Sequence, residues 1–274
     1  MTDATFTMDE LGRLHALVDS LGETLDPSIL IGGWATWLRL GGDSFFSRDI
    51  DLIVKSQSLR STLRETLEDY SENPNLGGKK VRGTIDGIHI DAYIPYESEL
   101  GGKLRLKVDV LANHVDPVPI KNWLLLNPEA HVISKMAALI DRPDSTKGSK
   151  DAREVMAMLF PAADSPFANL DSGYAIRILF DATAGSEADI PGHVAEIFEL
   201  LPNIANVNRK QRKAIATLGK EWGNEAKDQL AARQRSANAP TFGSPPTRRK
   251  DVGQPGNGGK FSNRARPDSD ATLL

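Results

Sequence analysis

The sequence contains no cysteine and no long apolar run. Without cysteine the chain has no disulfides, thiolate metal ligands or thiol nucleophiles, so its chemistry rests on carboxylates, histidines, hydroxyls and lysines. A helix that spans a bilayer needs about 18 consecutive apolar residues, and no segment reaches that length. The first ten residues are acidic and polar, unlike a signal peptide, so we expect a cytoplasmic protein without membrane contact.

Several familiar catalytic patterns are also missing. We find no Ser-His-Asp set, no Walker-type phosphate loop and no Rossmann glycine fingerprint. The five histidines are scattered singly, and only His89 stands near an acid at a spacing that brings the two side chains to one face. We expect His89 to be a surface or packing residue, which leaves carboxylates as the main candidates for chemistry.

Charge is distributed unevenly along the chain. Residues 205–274 hold 14 Lys and Arg against 6 Asp and Glu, which leaves 19 against 31 in the first 204 residues. A basic segment of this kind suits a phosphate-rich partner such as RNA, and it equally suits a solubilising role. Residues 236–274 are rich in Pro, Gly, Ser, Asn and Arg, so we expect a disordered basic tail.

Hydrophobic periodicity predicts an α+β protein. Helical spacing predicts helices over 8–25, 34–40, 57–70, 128–140 and 150–160, and with breaks over 171–202 and 207–233. Alternating or continuous apolar segments predict strands at 29–31, 49–54 and 104–110, and a hairpin over 81–96. We therefore expect a small mixed sheet flanked by helices in residues 1–125, a helical C-terminal domain in 126–235, and the tail in 236–274.

Two carboxylates stand out in the second predicted strand. Asp49 and Asp51 are two residues apart, so both side chains project to the same side of the sheet. Two ionised carboxylates repel each other, and the usual neutralising partner is a hard divalent cation such as Mg²⁺, which binds a few carboxylates plus substrate phosphates. An Asp-x-Asp at a solvent-facing sheet surface is the alternative.

A third carboxylate, Asp91, lies on the polar face of the predicted hairpin together with His89 and Tyr93. If the strand that carries Asp91 neighbours the strand of Asp49 and Asp51, the alternation of side chains allows Asp91 to lie on the same face of the sheet as these two acids. Three such acids can hold two Mg²⁺ ions, with Mn²⁺ as an alternative, and support a two-metal phosphoryl chemistry.

A glycine pair, Gly32-Gly33, lies 16 residues before Asp49 at a predicted strand-to-helix turn. Bare backbone N–H groups at a helix N-terminus can bind the phosphates of a nucleoside triphosphate. A plain tight turn is the alternative reading of the same pair.

Taken together, these segments resemble a known superfamily. The ordered set is Gly32-Gly33-Trp34-Ala35, Ser47-Arg48-Asp49-Ile50-Asp51-Leu52, Asp91, Pro128-Glu129, Lys135-Met136-Ala137-Ala138-Leu139-Ile140-Asp141-Arg142 and Lys150-Asp151. It resembles the DNA polymerase β nucleotidyltransferase superfamily and, within it, the AbiEii-like toxin family that includes the MenT toxins. The match spans roughly residues 28 to 160.

The resemblance implies a nucleotidyltransferase fold and an Mg²⁺-dependent enzyme. Such an enzyme moves a nucleoside monophosphate from an NTP to an acceptor hydroxyl and releases pyrophosphate. In this family the implied acceptor is tRNA and the implied partner of the toxin is an antitoxin. The implied site residues are Asp49 and Asp51 as metal ligands, Asp91 as ligand and general base, Lys135 as triphosphate contact, Asp151 as a further acid, and Gly32, Gly33, Ser47 and Arg48 as nucleotide-binding residues.

This sequence departs from the family pattern at two positions. The turn hydroxyl is missing at Gly33, and Phe45 stands where these toxins often carry arginine, so Ser47, Thr36 or Arg48 is expected to compensate. Two other functions stay open: transfer to a small molecule, as in antibiotic nucleotidyltransferases, and a non-catalytic nucleotide-binding or partner-binding module. Without the resemblance, Lys135 would be assigned to a solvated helix face.

Overall fold

The computed structural model describes residues 7–41, 47–73 and 80–238. Its helices are α1 (Met8–Thr24), α2 (Gly32–Leu40), α3 (Gln57–Thr66), α4 (Val108–Leu111), α5 (Pro128–Asp141), α6 (Thr146–Leu159), α7 (Ser172–Ala182), α8 (Ile190–Ile204) and α9 (Arg209–Asn238). Its strands are β1 (Ile29–Ile31), β2 (Asp49–Ile53), β3 (Glu68–Asn73), β4 (Lys80–Ile85), β5 (Ile88–Tyr93), β6 (Glu99–Leu100), β7 (Leu106–Lys107) and β8 (Leu124–Leu125).

Six strands form one mixed sheet in the order β3-β4-β5-β2-β1-β8. The central pair β2-β5 is parallel, as is β1-β8, whereas β1-β2, β4-β5 and β3-β4 are antiparallel. Strands β6 and β7 form a separate small ribbon. The predicted α+β class, a mixed sheet flanked by helices, is confirmed.

Each face of the sheet packs against a different set of helices, because strand side chains alternate between the faces. On one face Leu30, Ile50 and Ile90 join a buried cluster with Leu14 of α1 and Trp34 of α2. On the other face Ile29, Ile31 and Ile53 join the cluster formed by the C-terminal helices. Asp49 and Asp51 alternate with Ile50 and Leu52, so they lie on the second face, beneath those helices.

Helix α5 covers this second face, and its start is set by local sequence. Asn127 caps the helix by accepting a hydrogen bond from the Ala130 N–H, and Pro128 occupies the first turn, where its missing N–H costs nothing. Met136 of α5 and Trp222 of α9 belong to the same buried cluster as the strand residues of that face. The core therefore runs continuously across the predicted boundary at residue 125.

Some predicted elements differ from the observed ones. The helix predicted over 57–70 ends at Thr66, and the chain continues as the edge strand β3, paired with β4. The strand predicted over 104–110 is reduced to β7 and is followed directly by α4. Helix α6 begins at Thr146, earlier than the predicted start at Lys150, which changes the site described below.

The remaining helix predictions agree with the structure. The segment predicted as interrupted helix over 171–202 forms α7 and α8, and the predicted long basic helix is α9. Within the described ranges no helix combines the length and the apolar character that crossing a bilayer requires. The first three residues of the predicted disordered tail, 236–238, belong to α9, so the tail prediction is wrong there. Phe45 and the remaining tail residues, 239–274, lie outside the described residues.

Candidate active site

Three carboxylates meet on adjacent strands. Strand β5 lies beside β2, which is the condition under which Asp91 was expected to join Asp49 and Asp51. The parallel register places Asp51 opposite Asp91 and Asp49 opposite His89. Side chains of directly opposed residues point to the same face of a sheet. Asp49, Asp51 and Asp91 therefore form one acidic cluster on the face covered by the C-terminal helices, and we refer to these three residues as the carboxylate cluster.

Asp51 is the centre of the carboxylate cluster and the acid whose charge is least compensated. Burial raises the pKa of the Asp51 carboxyl, and the negative charges of Asp49 and Asp91 raise it further, to about 6, although Lys80 and Lys135 oppose the shift. Across the part of the chain that the structure describes, its side chain accepts no hydrogen bond and forms no ion pair. An ionised Asp51 therefore requires additional positive charge nearby.

Asp49 is compensated by two side chains that approach from different elements. Lys147 Nζ of α6 lies 2.7 Å from Asp49 Oδ2, and the Ser47 hydroxyl donates a hydrogen bond to Oδ1. Burial alone would raise the pKa of Asp49, but the bonds from Lys147 and Ser47 outweigh it and hold the pKa well below its ordinary value. Asp49 is therefore ionised at neutral pH.

Asp91 is compensated by cations from the next strand. Lys80 Nζ lies 2.5 Å from Asp91 Oδ2, and Arg82 Nε lies 2.9 Å from Oδ1. Both contacts follow from the β4-β5 register, which sets Arg82 opposite Asp91 and Lys80 opposite Tyr93. Lys80 Nζ also lies 4.9 Å from the centroid of the Tyr93 ring.

Gly32 brings a helix N-terminus directly to these acids. Its φ is +69°, a conformation that favours glycine, and a Cβ at this position would lie 2.5 Å from Asp51 Oδ2. Gly33 is buried in the first turn of α2, and no side chain caps this helix at Ile31. The leading backbone N–H groups of α2 therefore have no side-chain cap and lie beside the carboxylate cluster, as a phosphate-binding turn requires.

The three residues expected to compensate for the missing turn hydroxyl have different surroundings. Ser47 bonds to Asp49, as described above. Arg48 Nε lies 2.6 Å from Glu10 Oε1 of α1, and this pairing directs it toward that helix. The Thr36 hydroxyl is buried and bonds to the Gly32 carbonyl and to the His131 ring, so the structure does not bring it to the carboxylates.

A second, buried charged cluster lies between α5 and α6. Lys135 Nζ forms an ion pair with Glu154 and lies 3.7 Å from Asp151 Oδ1, while Arg142 Nη2 lies 2.7 Å from Asp151 Oδ2. The Lys135 side chain is only 7% exposed, so its assignment to a solvated helix face is wrong. Burial would lower the pKa of Lys135, but Glu154 and Asp151 outweigh burial and raise it.

Lys135 thus carries a permanent positive charge whose field reaches Asp51. Its contact with a triphosphate stays a prediction, because its ammonium group is engaged by Glu154. Sequence reasoning missed Glu154, which is fully buried. The available signal was helical spacing, since Asp151 and Glu154 are three residues apart and share one face of α6.

Sequence reasoning also missed Lys147. Its contact with Asp49 depends on the first turn of α6, which the sequence pattern assigned to a loop. Lys150, which follows on the same helix, is 20% exposed and lies 3.8 Å from Glu154 Oε1. Burial, and then the charge of Lys135, lowers the pKa of Lys150, with Glu154 opposing the shift.

The donor chemistry of the carboxylate cluster fits a hard divalent cation. All three side chains present oxygen atoms, which Mg²⁺ prefers, and Asp51 lacks a partner cation. However, in the described ranges no three His, Asp or Glu side chains stand in a coordinating arrangement. Lys147, Lys80 and Arg82 instead contact oxygens of Asp49 and Asp91. A metal ion bound to Asp49 would compete with Lys147, whose side chain is 60% exposed.

No protein-family model matches this sequence, and neither does any curated protein. The structure is similar to that of JHP933 from Helicobacter pylori, with 14% identity, 86% of this chain and 99% of the other covered, and a TM-score of 0.40. It is also similar to the antibiotic-resistance factor ANT(2'')-Ia, with 17% identity, 63% and 94% covered, and a TM-score of 0.41. An antigenic nucleotidyltransferase-like protein from Paracoccidioides brasiliensis has 15% identity, 74% and 100% covered, and a TM-score of 0.38. Likenesses this distant leave the family of the chain undefined.

Proposed function

We propose that this protein is an Mg²⁺-dependent nucleotidyltransferase that moves a nucleoside monophosphate from an NTP to an acceptor hydroxyl. One observation carries the proposal. Asp51 and Asp91 lie side by side on adjacent parallel strands, Asp49 shares their face, and the uncapped N-terminus of α2 begins at Gly32 against Asp51. Carboxylates for divalent cations and backbone N–H groups for phosphates are the two components that this reaction needs.

In the proposed reaction the acceptor oxygen forms a bond to the α-phosphorus of the NTP. The bond from that phosphorus to the bridging oxygen breaks, and pyrophosphate leaves with its electron pair. The hydroxyl proton passes to a site carboxylate, for which the family resemblance favours Asp91. Mg²⁺, held by the carboxylate cluster, would neutralise the charge of the phosphates. The N–H groups at Gly32 and Gly33 bind phosphate oxygens, and Lys135 adds positive charge from behind the cluster.

RNA, and tRNA in particular, is the acceptor that we propose. The family resemblance carries the tRNA assignment, and the first turns of α9 supply a physical argument for RNA. Arg209, Lys210 and Lys213 are exposed there. Positive side chains at a helix N-terminus oppose the helix dipole, so these cations do not serve the stability of α9. They suit a partner with a phosphate backbone. The family resemblance further implies that a toxin with this activity is controlled by an antitoxin, which we propose as a second partner.

The reaction is tested by incubating the full-length protein with Mg²⁺, total RNA and each NTP in turn, labelled at the α-phosphate. We expect label in RNA from one or more NTPs, and none from the same NTPs labelled at the γ-phosphate. Asp51→Asn should abolish transfer. Asp19→Asn is the matched control, because Asp19 is an exposed acid of α1 that pairs with Lys121 and contacts none of the site residues. Full transfer by Asp51→Asn would contradict the proposal.

The acceptor is tested separately with the double substitution Lys210→Glu and Lys213→Glu. If RNA is the acceptor, this variant should lose RNA labelling while its affinity for Mg·NTP stays unchanged. Labelling of aminoglycosides in place of RNA would favour the small-molecule alternative. A rise in melting temperature with Mg²⁺ and an NTP, without any labelled product, would favour the non-catalytic module.

A further inference from the structure

Lys147 reaches the carboxylate cluster because two local features fix the first turn of α6. Ser145 caps the helix by accepting a hydrogen bond from the Gly148 N–H. At Gly148 a Cβ would collide with the Arg142 carbonyl oxygen, so glycine allows this turn to pack closely against the end of α5. The resulting geometry brings Lys147 Nζ within 2.7 Å of Asp49 Oδ2.

Lys147 is more exposed than two other lysines near the acids. Its side chain is 60% exposed, whereas those of Lys80 and Lys135 are 20% and 7% exposed. Lysine carries its charge on a flexible four-carbon stem, and exposed ion pairs contribute little to stability. Lys147 can therefore leave Asp49 without breaking the packing around it.

We propose that Lys147 binds at two places in turn: it neutralises Asp49 in the free protein and contacts the triphosphate of the substrate once a divalent cation takes its place. This inference rests on the proposed function. A divalent cation bound to Asp49 supplies the positive charge that Lys147 supplies in the free protein and repels the ammonium group, so metal binding favours release of Lys147. The displaced ammonium group remains on α6 beside the site, where the phosphates of an incoming NTP are the nearest new anions.

The proposal predicts that removing Lys147 shifts two affinities in opposite directions. In Lys147→Ala, Mg²⁺ alone should bind about two- to fivefold more tightly, because the competing ammonium group is gone, and the size follows from a solvent-exposed ion pair. Inorganic tripolyphosphate in saturating Mg²⁺ should bind about two- to fivefold more weakly, because one phosphate contact is lost. A residue that only braces the fold would shift both affinities the same way.

The experiment is calorimetric titration of the full-length protein with Mg²⁺ alone and with tripolyphosphate in saturating Mg²⁺. Lys121→Ala is the matched control, since Lys121 Nζ lies 2.6 Å from Asp19 Oδ1 in another solvent-exposed Lys–Asp pair, which involves α1 and none of the site residues. We expect Lys121→Ala to match the parent in both titrations, and Lys147→Arg to keep both affinities near the parent values.

The proposal is overturned if Lys147→Ala matches Lys121→Ala in both titrations, if both affinities fall or both rise, or if the parent binds neither ligand. These outcomes are independent of turnover. If the parent transfers label from α-labelled NTP while Lys147→Ala shows no opposed shifts, this inference fails and the proposed function stands. If opposed shifts occur without any transfer, the proposed function fails and the role of Lys147 in binding Mg²⁺ and phosphate stands.

Discussion

Replacing Asp51 by asparagine should stabilise the metal-free protein at neutral pH. The Asp51 side chain is half-buried and lies beside Asp49 and Asp91, and both desolvation and these negative charges disfavour its ionised form. Asparagine has nearly the same shape and no charge, so the variant removes this repulsion while keeping the packing. A carboxylate that destabilises the ligand-free protein is expected at a binding site, where the ligand supplies the compensating positive charge.

The size of the effect follows from the pKa of Asp51. That pKa is raised from 3.8 to about 6 in the folded protein. At about 1.4 kcal/mol per pKa unit, ionised Asp51 costs up to about 3 kcal/mol of folding free energy. Allowing for imperfect hydrogen bonding of the asparagine amide, we expect Asp51→Asn to gain about 1–3 kcal/mol at pH 7.5.

The sign of the pH dependence is fixed by the raised pKa. The contribution of protonated Asp51 to stability is complete below about pH 4 and is lost as the pH rises through about 6. The advantage of Asp51→Asn over the parent should therefore be large at pH 7.5 and vanish toward pH 4.5. Urea denaturation in EDTA across this range measures the free energy of unfolding of both proteins.

Asp49→Asn serves as the contrasting variant in the same assay. The pKa of Asp49 is held low by Lys147 and Ser47, against the effect of burial, so its charge stabilises the fold and its removal should lower stability at pH 7.5. Adding Mg²⁺ should stabilise the parent and leave Asp51→Asn unchanged. The reasoning is refuted if Asp51→Asn is no more stable than the parent at pH 7.5, or if the difference in unfolding free energy between the two proteins is the same at pH 4.5 and pH 7.5.

Three further substitutions test other parts of the structure. Gly32→Ala should abolish nucleotidyl transfer and lower the free energy of unfolding by about 1–3 kcal/mol, because the φ of Gly32 is +69° and a Cβ there would lie 2.5 Å from Asp51 Oδ2. Gly192→Ala is the control and should be neutral, since there is open space around Gly192. Full activity of Gly32→Ala would contradict this prediction. Glu154→Ala should cost about 3–5 kcal/mol in urea denaturation, since it leaves Lys135 buried without its closest partner, and a loss below about 1 kcal/mol would argue against that pairing. Trp222→Ala should cost about 3–5 kcal/mol by the same assay, and an unchanged midpoint would mean that α9 does not pack on the core.

Local sequence determined the features that depend on short-range periodicity. The two-residue period of a strand puts Asp49 and Asp51 on one face, and the same period puts His89, Asp91 and Tyr93 on one face of the hairpin. Pro128 predicted the start of α5 at the residue where the helix begins. These features need only neighbouring residues, so they can be read from the chain before the tertiary structure is known.

Elements that depend on partners distant in the sequence were harder to predict. Strand β8 has only two residues and exists because it pairs with β1, almost a hundred residues earlier in the chain. Strand β3 has a polar sequence and gains its conformation from pairing with β4 at the sheet edge. Short or polar strands lack a strong pattern of their own, and tertiary pairing overrides their weak local preference.

For the site itself, the sequence determined which face of its strand each of the three aspartates occupies and where the glycine turn lies. Only the tertiary structure decided which charged side chains surround them. The β2-β5 register placed Asp91 beside Asp51. The β4-β5 register supplied Lys80, and the early start of α6 brought Lys147 to Asp49. Side-chain phase is set by the local backbone, whereas the charges that compensate a buried carboxylate come from segments brought together only by packing.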